Sequence, residues 1–421
     1  MRHLAILGFA SALCAQALPP LPNGYDQALW ERACKLHFAA VVVDTHSDTT
    51  SRILDEGFDM GAKSLTGHMD LPRIAEGGLD VQFYSIYVAA QYYGAEDLKS
   101  DKALAASKAN ASARRALQMI DGIQGQIAKH HERMQGCASV AEISDALGKG
   151  KHAVLMGIEG GHAIEGDLRL LRQFYRMGVR YMTLTHTNSN EFADSCAEAT
   201  PKWNGLNDLG RDVVAEMNRV GMMVDVSHVS DKTFFDVIAI AKAPVIFSHS
   251  SCRALCGHKR NATDAMLQAL AKNGGVIMIN YNSGFLDDDF SKRYEAYRAP
   301  IKIREKAIAA KHGEGTEAYK SAVTALEKAH TPPEPPPLAK LLDHFMHAIE
   351  IAGAEHVGMG SDFDGIPSTP RGLEDVTCLP KITYGLLERG VSEADVKKVL
   401  GENLLRVFAA VEKTARELQA K

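Results

Sequence analysis

Eight short apolar runs rich in β-branched residues recur along this chain and alternate with amphipathic segments. The runs are 38–46, 79–88, 152–159, 179–186, 221–228, 244–249, 274–281 and 355–362. Such runs are typical of strands buried on both faces, and parallel strands need a crossover between them, usually a helix. Segments 205–220 and 392–413 carry apolar residues at the spacing of one helical face. Eight strand and helix units predict a closed (β/α)8 barrel, an α/β fold of the TIM type.

Two polar stretches depart from a plain barrel. Residues 96–150 follow the second run and favour helix, and residues 286–337 are highly charged and end in PPEPPP. Neither holds enough apolar residues for a core of its own, so we expect a single barrel domain over 18–421 with two helical insertions. The second insertion could cover the mouth of a site, or it could be a solvated addition with no part in binding. The sequence leaves both interpretations open.

The first twenty residues, MRHLAILGFASALCAQALPP, have the pattern of an export signal. A basic residue precedes an apolar run from Leu4 to Leu13, and Ala15 and Ala17 form a small-x-small cleavage site. This pattern predicts a signal peptide over 1–17, whereas a buried N-terminal helix would be stopped at once by the prolines that follow. We therefore expect an exported protein, periplasmic or secreted. No later segment approaches the ~20 apolar residues of a membrane span.

Composition narrows the range of partners. The chain of 421 residues is 46% hydrophobic and carries 47 Lys and Arg against 52 Asp and Glu, a formal net charge of -5. The net charge and the lack of a long run of basic residues argue against nucleic acid as a partner, and a small molecule or peptide fits better. Six of the seven cysteines lie beyond the predicted signal peptide. That even number permits disulfides in an exported protein without fixing their pairing.

Ionisable side chains gather where the predicted strands end. The first run closes with Asp44, His46 and Asp48 at every second position, so all three point to the same side of the strand. Most of the later runs close with acids, imidazoles or other polar side chains, namely Glu159, His186, His228, His249, Asn280, Tyr281 and Asp362. In a parallel barrel the carboxyl ends of all strands meet at one face. These distant residues are therefore predicted to converge.

Their convergence favours a metal centre. Taken singly, a histidine or acid at a strand end is more often a hydrogen-bonded structural residue. Four histidines and four carboxylates together would leave costly unpaired charge in a buried place unless a cation lay among them. A mixture of nitrogen and oxygen ligands suits Zn²⁺. Because one catalytic zinc takes only about three protein ligands, we expect two zinc ions per subunit that share one carboxylate.

Longer motifs surround these residues and run in order from about residue 38 to residue 412. They are VDTHSD, GHMDLPRIAEGGLDVQFYSIY, GIEGGH, RYMTLTHTNSN, MVDVSHVSD, PVIFSHSSCRALCGHKRN, VGMGSDFDGI and ENLLRVF. Together they resemble the motifs of the renal, or membrane, dipeptidase family of zinc peptidases. The resemblance implies a barrel of the amidohydrolase type, a binuclear zinc site, hydrolysis of L,L or L,D dipeptides, and a homodimer.

The resemblance also implies a ligand set for each zinc ion. His46 and Asp48 would bind one ion, and His228 and His249 would bind the other. Glu159 would bridge the two ions, since a carboxylate has two oxygens and can span ions about 3.5–4 Å apart. A hydroxide held between them would attack the peptide carbonyl, because coordination lowers the pKa of water.

Further residues receive roles in the reaction from the same resemblance. His186 would stabilise the oxyanion, and Asp362 of GSDFDG would transfer the proton. Arg260 of HKRN would hold the terminal carboxylate of the dipeptide, a group that a planar guanidinium fits well. Tyr281 would contact the substrate. Asp44 lies one alternation deeper than His46 and could orient a ligand. For four others a structural hydrogen bond is favoured over such a role: His68, His162, Asp194 and Asp364.

Two other functions stay open. A metal hydrolase with this site could act on another amide or a lactone, such as an N-acyl amino acid. A neutral substrate without a carboxylate would make little use of Arg260, so that residue discriminates between the two activities. The remaining alternative is an exported binding protein whose barrel no longer catalyses. The residues argue against it, since Asp362 and every expected ligand are present.

Overall fold

The computed structural model describes residues 18–93, 111–313 and 316–420. The predicted signal peptide 1–17 and residues 96–110 of the first predicted insertion lie outside the described residues. The strands within the described ranges are β1 (Val43–Ser47), β2 (Val81–Tyr87), β3 (Met134–Gly136), β4 (His152–Glu159), β5 (Val179–Thr183), β6 (Met223–Asp225), β7 (Ile246–Phe247), β8 (Val276–Ile279) and β9 (Val357–Met359).

Helices alternate with these strands along the chain. The α-helices are α1 (Gln27–Ala39), α2 (Thr49–Glu56), α3 (Leu71–Gly77), α4 (Ala111–Lys129), α5 (Val140–Gly148), α6 (Leu168–Arg176), α7 (Asp208–Val220), α8 (Asp231–Ile240), α9 (Asp264–Asn273), α10 (Ser283–Leu286), α11 (Asp288–His312), α12 (Glu317–Lys328), α13 (Leu338–Ala352), α14 (Pro380–Glu388), α15 (Glu393–Lys397) and α16 (Asn403–Gln419). None of the described helices is long and apolar enough to cross a membrane.

Eight of the strands close into a parallel barrel. Their order is β2, β1, β9, β8, β7, β6, β5, β4, and β4 pairs back with β2 from Val81 opposite Ala153 to Tyr87 opposite Glu159. The predicted (β/α)8 barrel is confirmed. All positions of β4 are buried, which explains why its sequence, HAVLMGIE, reads as an apolar run without alternation.

The C-terminal segment departs from the single helix that its apolar stripe predicts. Ser392 caps the start of α15, but a π-helical turn over Lys398–Glu402 separates α15 from α16. At Gly401 an added Cβ would lie 2.3 Å from the carbonyl oxygen of Val41, so only glycine allows this close approach to the chain before β1. The stripe of α16 then packs in one apolar cluster with residues from the starts of several strands.

The stretch predicted as the first insertion contributes directly to the barrel. Its described part forms α4, the short strand β3 and α5, and β3 pairs with the start of β4 outside the closed ring. Helix α4 buries Ala116, Met119, Ile120 and Ile123 in the main core. It therefore supplies the crossover that a parallel connection from β2 to β4 requires.

Helices α11 and α12 make up most of the second predicted insertion. Helix α12 buries none of its residues, and α11 buries only Phe290 and Ile301. Arg298 on α11 lies 3.7 Å from Glu327 on α12, which links the two helices. At the start of α11 the carboxylate of Asp288 accepts a hydrogen bond from the backbone N–H of Gly257. That contact ties the helical pair to the loop after β7.

Candidate metal centre

The carboxyl ends of the barrel strands bring the predicted ligands together. His46 lies within β1 and Glu159 is the last residue of β4, whereas His228 and His249 follow β6 and β7 directly in the loops. All of these side chains are buried. Residues up to two hundred positions apart thus meet at one face, as a parallel barrel requires.

Glu159 lies at the middle of the cluster, with one oxygen toward each side. Its Oε2 is 3.3 Å from Nε2 of His46. Its Oε1 is 2.9 Å from Nε2 of His228 and 3.3 Å from Nε2 of His249. His186 lies further out, with Nε2 3.7 Å from the same Oε1. One oxygen of the carboxylate therefore faces His46 and the other faces an imidazole-rich side, and the rings of His46 and His249 stack on each other with 3.8 Å between centroids.

Two more acids complete the side of His46. Its Nε2 lies 3.7 Å from Oδ2 of Asp48 and 3.9 Å from Oδ1 of Asp362. Asn280 donates a hydrogen bond of 2.9 Å to the other oxygen of Asp362. This bond fixes the carboxylate so that Oδ1 faces the cluster.

The donor atoms fit divalent cations. Three groups of them each lie within 4.8 Å of one another: His46, Glu159 and His249; Glu159, His186 and His228; His46, Asp48 and Asp362. Within the described part of the chain, Nε2 of His46 and Oδ1 of Asp48 are buried without a hydrogen-bond partner. Nitrogen and oxygen donors that converge in this way, with lone pairs unused, are what zinc and similar ions require.

A tyrosine across the barrel fixes the imidazole of His46. The Tyr181 hydroxyl donates to the carbonyl oxygen of Thr45 at 3.1 Å and lies 2.8 Å from Nδ1 of His46. Because its proton is directed at Thr45, the hydroxyl accepts from Nδ1–H. Nε2 of His46 is then the nitrogen with the free lone pair, directed at the cluster. Neither the motif RYMTLTHTNSN nor the hydrophobic pattern of the run 179–186 identifies Tyr181 as the partner of His46.

Charges in the cluster shift the pKa of its carboxylates in opposite directions. Burial alone would raise the pKa of Glu159, but the surrounding histidines, with His46 foremost, hold it well below its usual range. Burial raises the pKa of Asp362 to about 7 against the opposing charge of His46, and the neighbouring carboxylates Asp48 and Glu159 add to the rise. The surroundings thus move the pKa values of these two acids of one site apart.

The loop after β9 is joined to β1 by backbone hydrogen bonds. The N–H of Asp362 donates to the carbonyl of His46 at 3.0 Å, and the N–H of Asp48 donates to the carbonyl of Phe363 at 2.8 Å. Asp362 has φ +63°, and His228 has φ +66°. Non-glycine residues rarely adopt this left-handed conformation, which is held here because the surrounding contacts determine it.

Asp44 orients the backbone rather than an imidazole. Its carboxylate accepts from the N–H of His46 at 3.2 Å, and from the N–H and the hydroxyl of Ser361 at 2.8 Å and 2.5 Å. Burial raises its pKa to about 6. Asp44 therefore ties the end of β1 to the residue before Asp362. Asp364 and Asp194 accept structural hydrogen bonds, from the N–H of His68 and of Gly205 among others.

Arg260 lies beside the imidazole-rich side. Its guanidinium donates to the carbonyl of His249 at 3.0 Å and to the hydroxyl of Ser250 at 3.2 Å, and stacks over the ring of Phe285. It is only 8% exposed, and its Nε has no hydrogen-bond partner among the described residues. The group is thus held rigidly with a donor to spare.

Tyr281 does not join the other predicted site residues. It is fully buried and packs edge-on against Phe363, with 5.6 Å between ring centroids. Its predicted contact with substrate stays a prediction. Tyr87, at the end of β2, lies in the cluster instead, and its ring meets that of His186 at 4.8 Å. The sequence signal for Tyr87 is its place near the end of the predicted second run, 79–88, where Tyr84 to Tyr87 count among the strand-end residues.

Comparison with known proteins identifies the family. The family model described as membrane dipeptidase (peptidase family M19) matches residues 30–421. The chain belongs to this family. It is 35% identical over 353 residues to dipeptidase tcpJ of Claviceps purpurea (strain 20.1), with 84% of this chain and 71% of that protein covered. It is 36% identical over 352 residues to dipeptidase verJ of Clonostachys rogersoniana, with 84% and 78% covered.

Solved structures agree with the M19 assignment. The chain is similar to a metallo peptidase from Rhodobacter sphaeroides liganded with a phosphinate mimic of the dipeptide L-Ala-D-Ala, with a TM-score of 0.69, 27% identity, and 88% and 99% of the two chains covered. It is equally similar to dipeptidase AC, a metallo peptidase of family M19, with a TM-score of 0.69, 26% identity, and 88% and 98% covered. The chain is a metallo-dipeptidase of family M19, and the resemblance inferred from the motifs is confirmed.

Proposed function

We propose that this protein is a binuclear zinc dipeptidase that hydrolyses L,L or L,D dipeptides. The position of Glu159 carries the proposal, because one of its oxygens faces His46 and the other faces His228 and His249. His46 and Asp48 would hold one zinc ion, and His228 and His249 the other. When bound, the ions would supply a water of lowered pKa and polarise the carbonyl of the scissile bond.

Proton transfer falls to Asp362. Asn280 holds one of its oxygens, so the other is free to take a proton from the attacking water. The same oxygen then passes the proton to the departing amine, which cannot leave unprotonated. The backbone bond between Asp362 and His46 keeps this carboxylate in register with the ligands on β1.

His186 and Arg260 bind two different groups of the reacting dipeptide in this proposal, the oxyanion and the terminal carboxylate. His186 keeps part of its side chain exposed at the open side of the cluster, where its imidazole can stabilise an oxyanion. Arg260 presents a planar fork that pairs with a carboxylate. A free C-terminus near the scissile bond is therefore recognised, which restricts hydrolysis to very short peptides. The phosphinate mimic of L-Ala-D-Ala bound to a structural relative supports the inclusion of L,D substrates.

The test uses purified protein loaded with zinc. We expect two zinc ions per chain by metal analysis, and hydrolysis of members of a dipeptide panel that covers L,L and L,D stereochemistry. Removal of zinc by a chelator should abolish activity, and readdition should restore it. A preparation with two zinc ions that cleaves no dipeptide would overturn the proposal.

Arg260→Ala distinguishes a dipeptidase from a hydrolase of other amides or lactones. Loss of the partner of a buried carboxylate costs about 2–5 kcal/mol, so kcat/KM for dipeptides should fall by about thirtyfold or more. A lactone or neutral amide should be cleaved at an unchanged rate. Arg253→Ala is the matched control, since Arg253 lies on the same loop but is paired with Asp231. An unchanged kcat/KM for dipeptides in Arg260→Ala would favour the other hydrolase.

We also propose that the protein is exported and forms a homodimer. The predicted signal peptide supports export, and the resemblance to membrane dipeptidases supports the dimer. Fractionation of the native host measures the first, and light scattering of the purified protein measures the second. Protein confined to the cytoplasm, or a monomer at micromolar concentration, would contradict the respective proposal.

A further inference from the structure

We propose that Asp225, acting through the hydroxyl of Ser248, is a positioning residue that determines which nitrogen of His249 is free to bind a metal. The inference rests on the proposed function, because it concerns a ligand of the proposed zinc site. Asp225 is the last residue of β6, and Ser248 follows β7 directly. Both side chains are fully buried.

Asp225 is a buried carboxylate satisfied by hydrogen bonds alone. Its Oδ1 accepts from the N–H of Ser227 at 3.0 Å and from the N–H of Ser248 at 2.8 Å. Its Oδ2 accepts from the hydroxyls of Ser248 and Thr183. No Lys, Arg or His within the described ranges forms an ion pair with it. Hydrogen bonds therefore take the place of an ion pair at this carboxylate.

The direction of the hydrogen bonds follows from the number of protons. The Ser248 hydroxyl has one proton, and at 2.5 Å from Oδ2 of Asp225 it points at the carboxylate, which can only accept. The same hydroxyl lies 2.7 Å from Nδ1 of His249. It must accept there, so Nδ1 of His249 carries the proton. Nε2 is left with its lone pair, 3.3 Å from Oε1 of Glu159.

The corresponding partner of His46 differs in charge. There the chain of hydrogen bonds runs through Tyr181 to a backbone carbonyl, whereas at His249 it ends in a carboxylate. A carboxylate behind the imidazole raises its basicity as a ligand as well as fixing its tautomer. We therefore infer that Asp225 strengthens binding of the zinc ion on the side of His249.

Asp225→Asn reverses this hydrogen-bonded chain. Two backbone N–H groups require the amide oxygen at the position of Oδ1, so the amide NH₂ takes the position of Oδ2. It then donates to the Ser248 hydroxyl, whose own proton turns to Nδ1 of His249. The imidazole is driven to the tautomer with Nε2 protonated, which cannot bind zinc without losing that proton.

The experiment compares zinc affinity and histidine tautomers in three variants and the wild type. Competition with a chromophoric chelator measures the affinity for each zinc ion, and ¹⁵N NMR of the metal-free protein reports the His249 tautomer. Asp225→Asn should lower the affinity for one of the two zinc ions by about 10- to 100-fold and switch the tautomer of His249. Ser248→Ala should lower that affinity less, since no hydrogen bond from this position then fixes the proton of His249 on either ring nitrogen. Thr183→Val removes the other hydroxyl bonded to Oδ2 of Asp225 but leaves the hydrogen bonds from Asp225 through Ser248 to His249 intact. It should change the zinc affinity by less than about twofold.

The outcomes separate this inference from the proposed function. Wild-type zinc affinity in Asp225→Asn, or a wild-type tautomer with Nε2 protonated, would overturn the role of Asp225 even in an active dipeptidase. An equal loss in Thr183→Val would show a general packing effect and would overturn it as well. The tautomer signal is read without substrate or metal, so it stands even where no dipeptide is cleaved. Denaturant unfolding of each variant confirms that the barrel is folded.

Discussion

Two buried histidines, His46 at the rim and His37 on α1, show what distinguishes a candidate metal ligand from a structural histidine in this protein. Both are fully buried. His37 uses both ring nitrogens, since Nδ1 lies 2.8 Å from the Thr383 hydroxyl and Nε2 lies 2.9 Å from the carbonyl of Gly77. His46 uses only Nδ1, and its Nε2 faces Glu159 without a hydrogen bond. Burial is common to both, whereas of the two only His46 keeps an unpaired nitrogen, and that nitrogen faces the metal centre.

The electrostatic surroundings differ in the same way. Burial lowers the pKa of His37 to about 4, and no carboxylate offsets it. The imidazoles of the rim surround Glu159 and lie among Asp48 and Asp362. Hydrogen bonds within the protein thus satisfy the polar atoms of His37, whereas the candidate ligands at the rim need cations to pair with their unused lone pairs.

The largest expected effect is that of Glu159→Gln. The amide keeps one oxygen and places an NH₂ where the other faced a ligand group, so shared coordination is lost. Activity on dipeptides should fall by at least about a thousandfold, because the metal chemistry supplies several kcal/mol. Metal analysis should find fewer than two zinc ions per chain. Two retained ions together with more than a tenth of the activity would show that Glu159 is no bridge.

Asp362→Asn should separate catalysis from metal binding. Loss of a proton-transfer group lowers kcat by about 10²- to 10⁴-fold, while zinc content stays at two because the other ligands are intact. Asp364→Asn is the control on the same loop, since its carboxylate bonds the backbone of His68 and the hydroxyl of Thr49. It should lower stability rather than kcat. Loss of zinc in Asp362→Asn would instead make Asp362 a ligand.

The position of the rim residues could be predicted from the sequence because barrel topology alone determines it. Any residue that ends a parallel strand reaches the same face, so His46, Glu159 and His249 converge whatever the details of packing. The contacts behind the ligands depend instead on which side chains meet across the barrel. Tyr181 lies 135 positions from His46, and no local pattern indicates that contact.

Hydrophobic periodicity in the sequence does not predict the exact ends of the strands or the direction in which Tyr281 points. The run predicted over 244–249 is a strand only at Ile246–Phe247, because pairing with its neighbours covers just those residues. Tyr281 lies two positions beyond β8 and turns toward Phe363 in the core. The even number of cysteines permitted disulfides, yet all six in the described part of the chain are free thiols. Pairing depends on distances that the sequence does not contain.

His37 should make stability depend on pH where the rim ligands are not involved. The unfolded chain protonates this histidine below its ordinary pKa of 6.5, whereas the folded chain resists protonation down to about 4. Its contribution to stability is therefore full above pH 6.5 and is lost as the pH falls toward 4. The loss reaches about 3 kcal/mol at pH 4. Urea unfolding of wild type and His37→Gln between pH 7 and pH 4 measures it. Parallel curves would contradict the assignment.

The smallest effects come from removing one hydroxyl behind each histidine. Tyr181→Phe deprives Nδ1 of His46 of its acceptor, so the tautomer is no longer fixed and zinc affinity should fall about tenfold. Thr383→Val removes the matching partner of His37 and should lower the free energy of unfolding by about 1 kcal/mol, with zinc affinity unchanged. Chelator competition and urea unfolding on both variants give the four values. A lower zinc affinity in Thr383→Val, or an unchanged zinc affinity in Tyr181→Phe, would remove the distinction between the two histidines. Loss of the hydroxyl beside Nδ1 would then have the same effect on zinc binding at both positions.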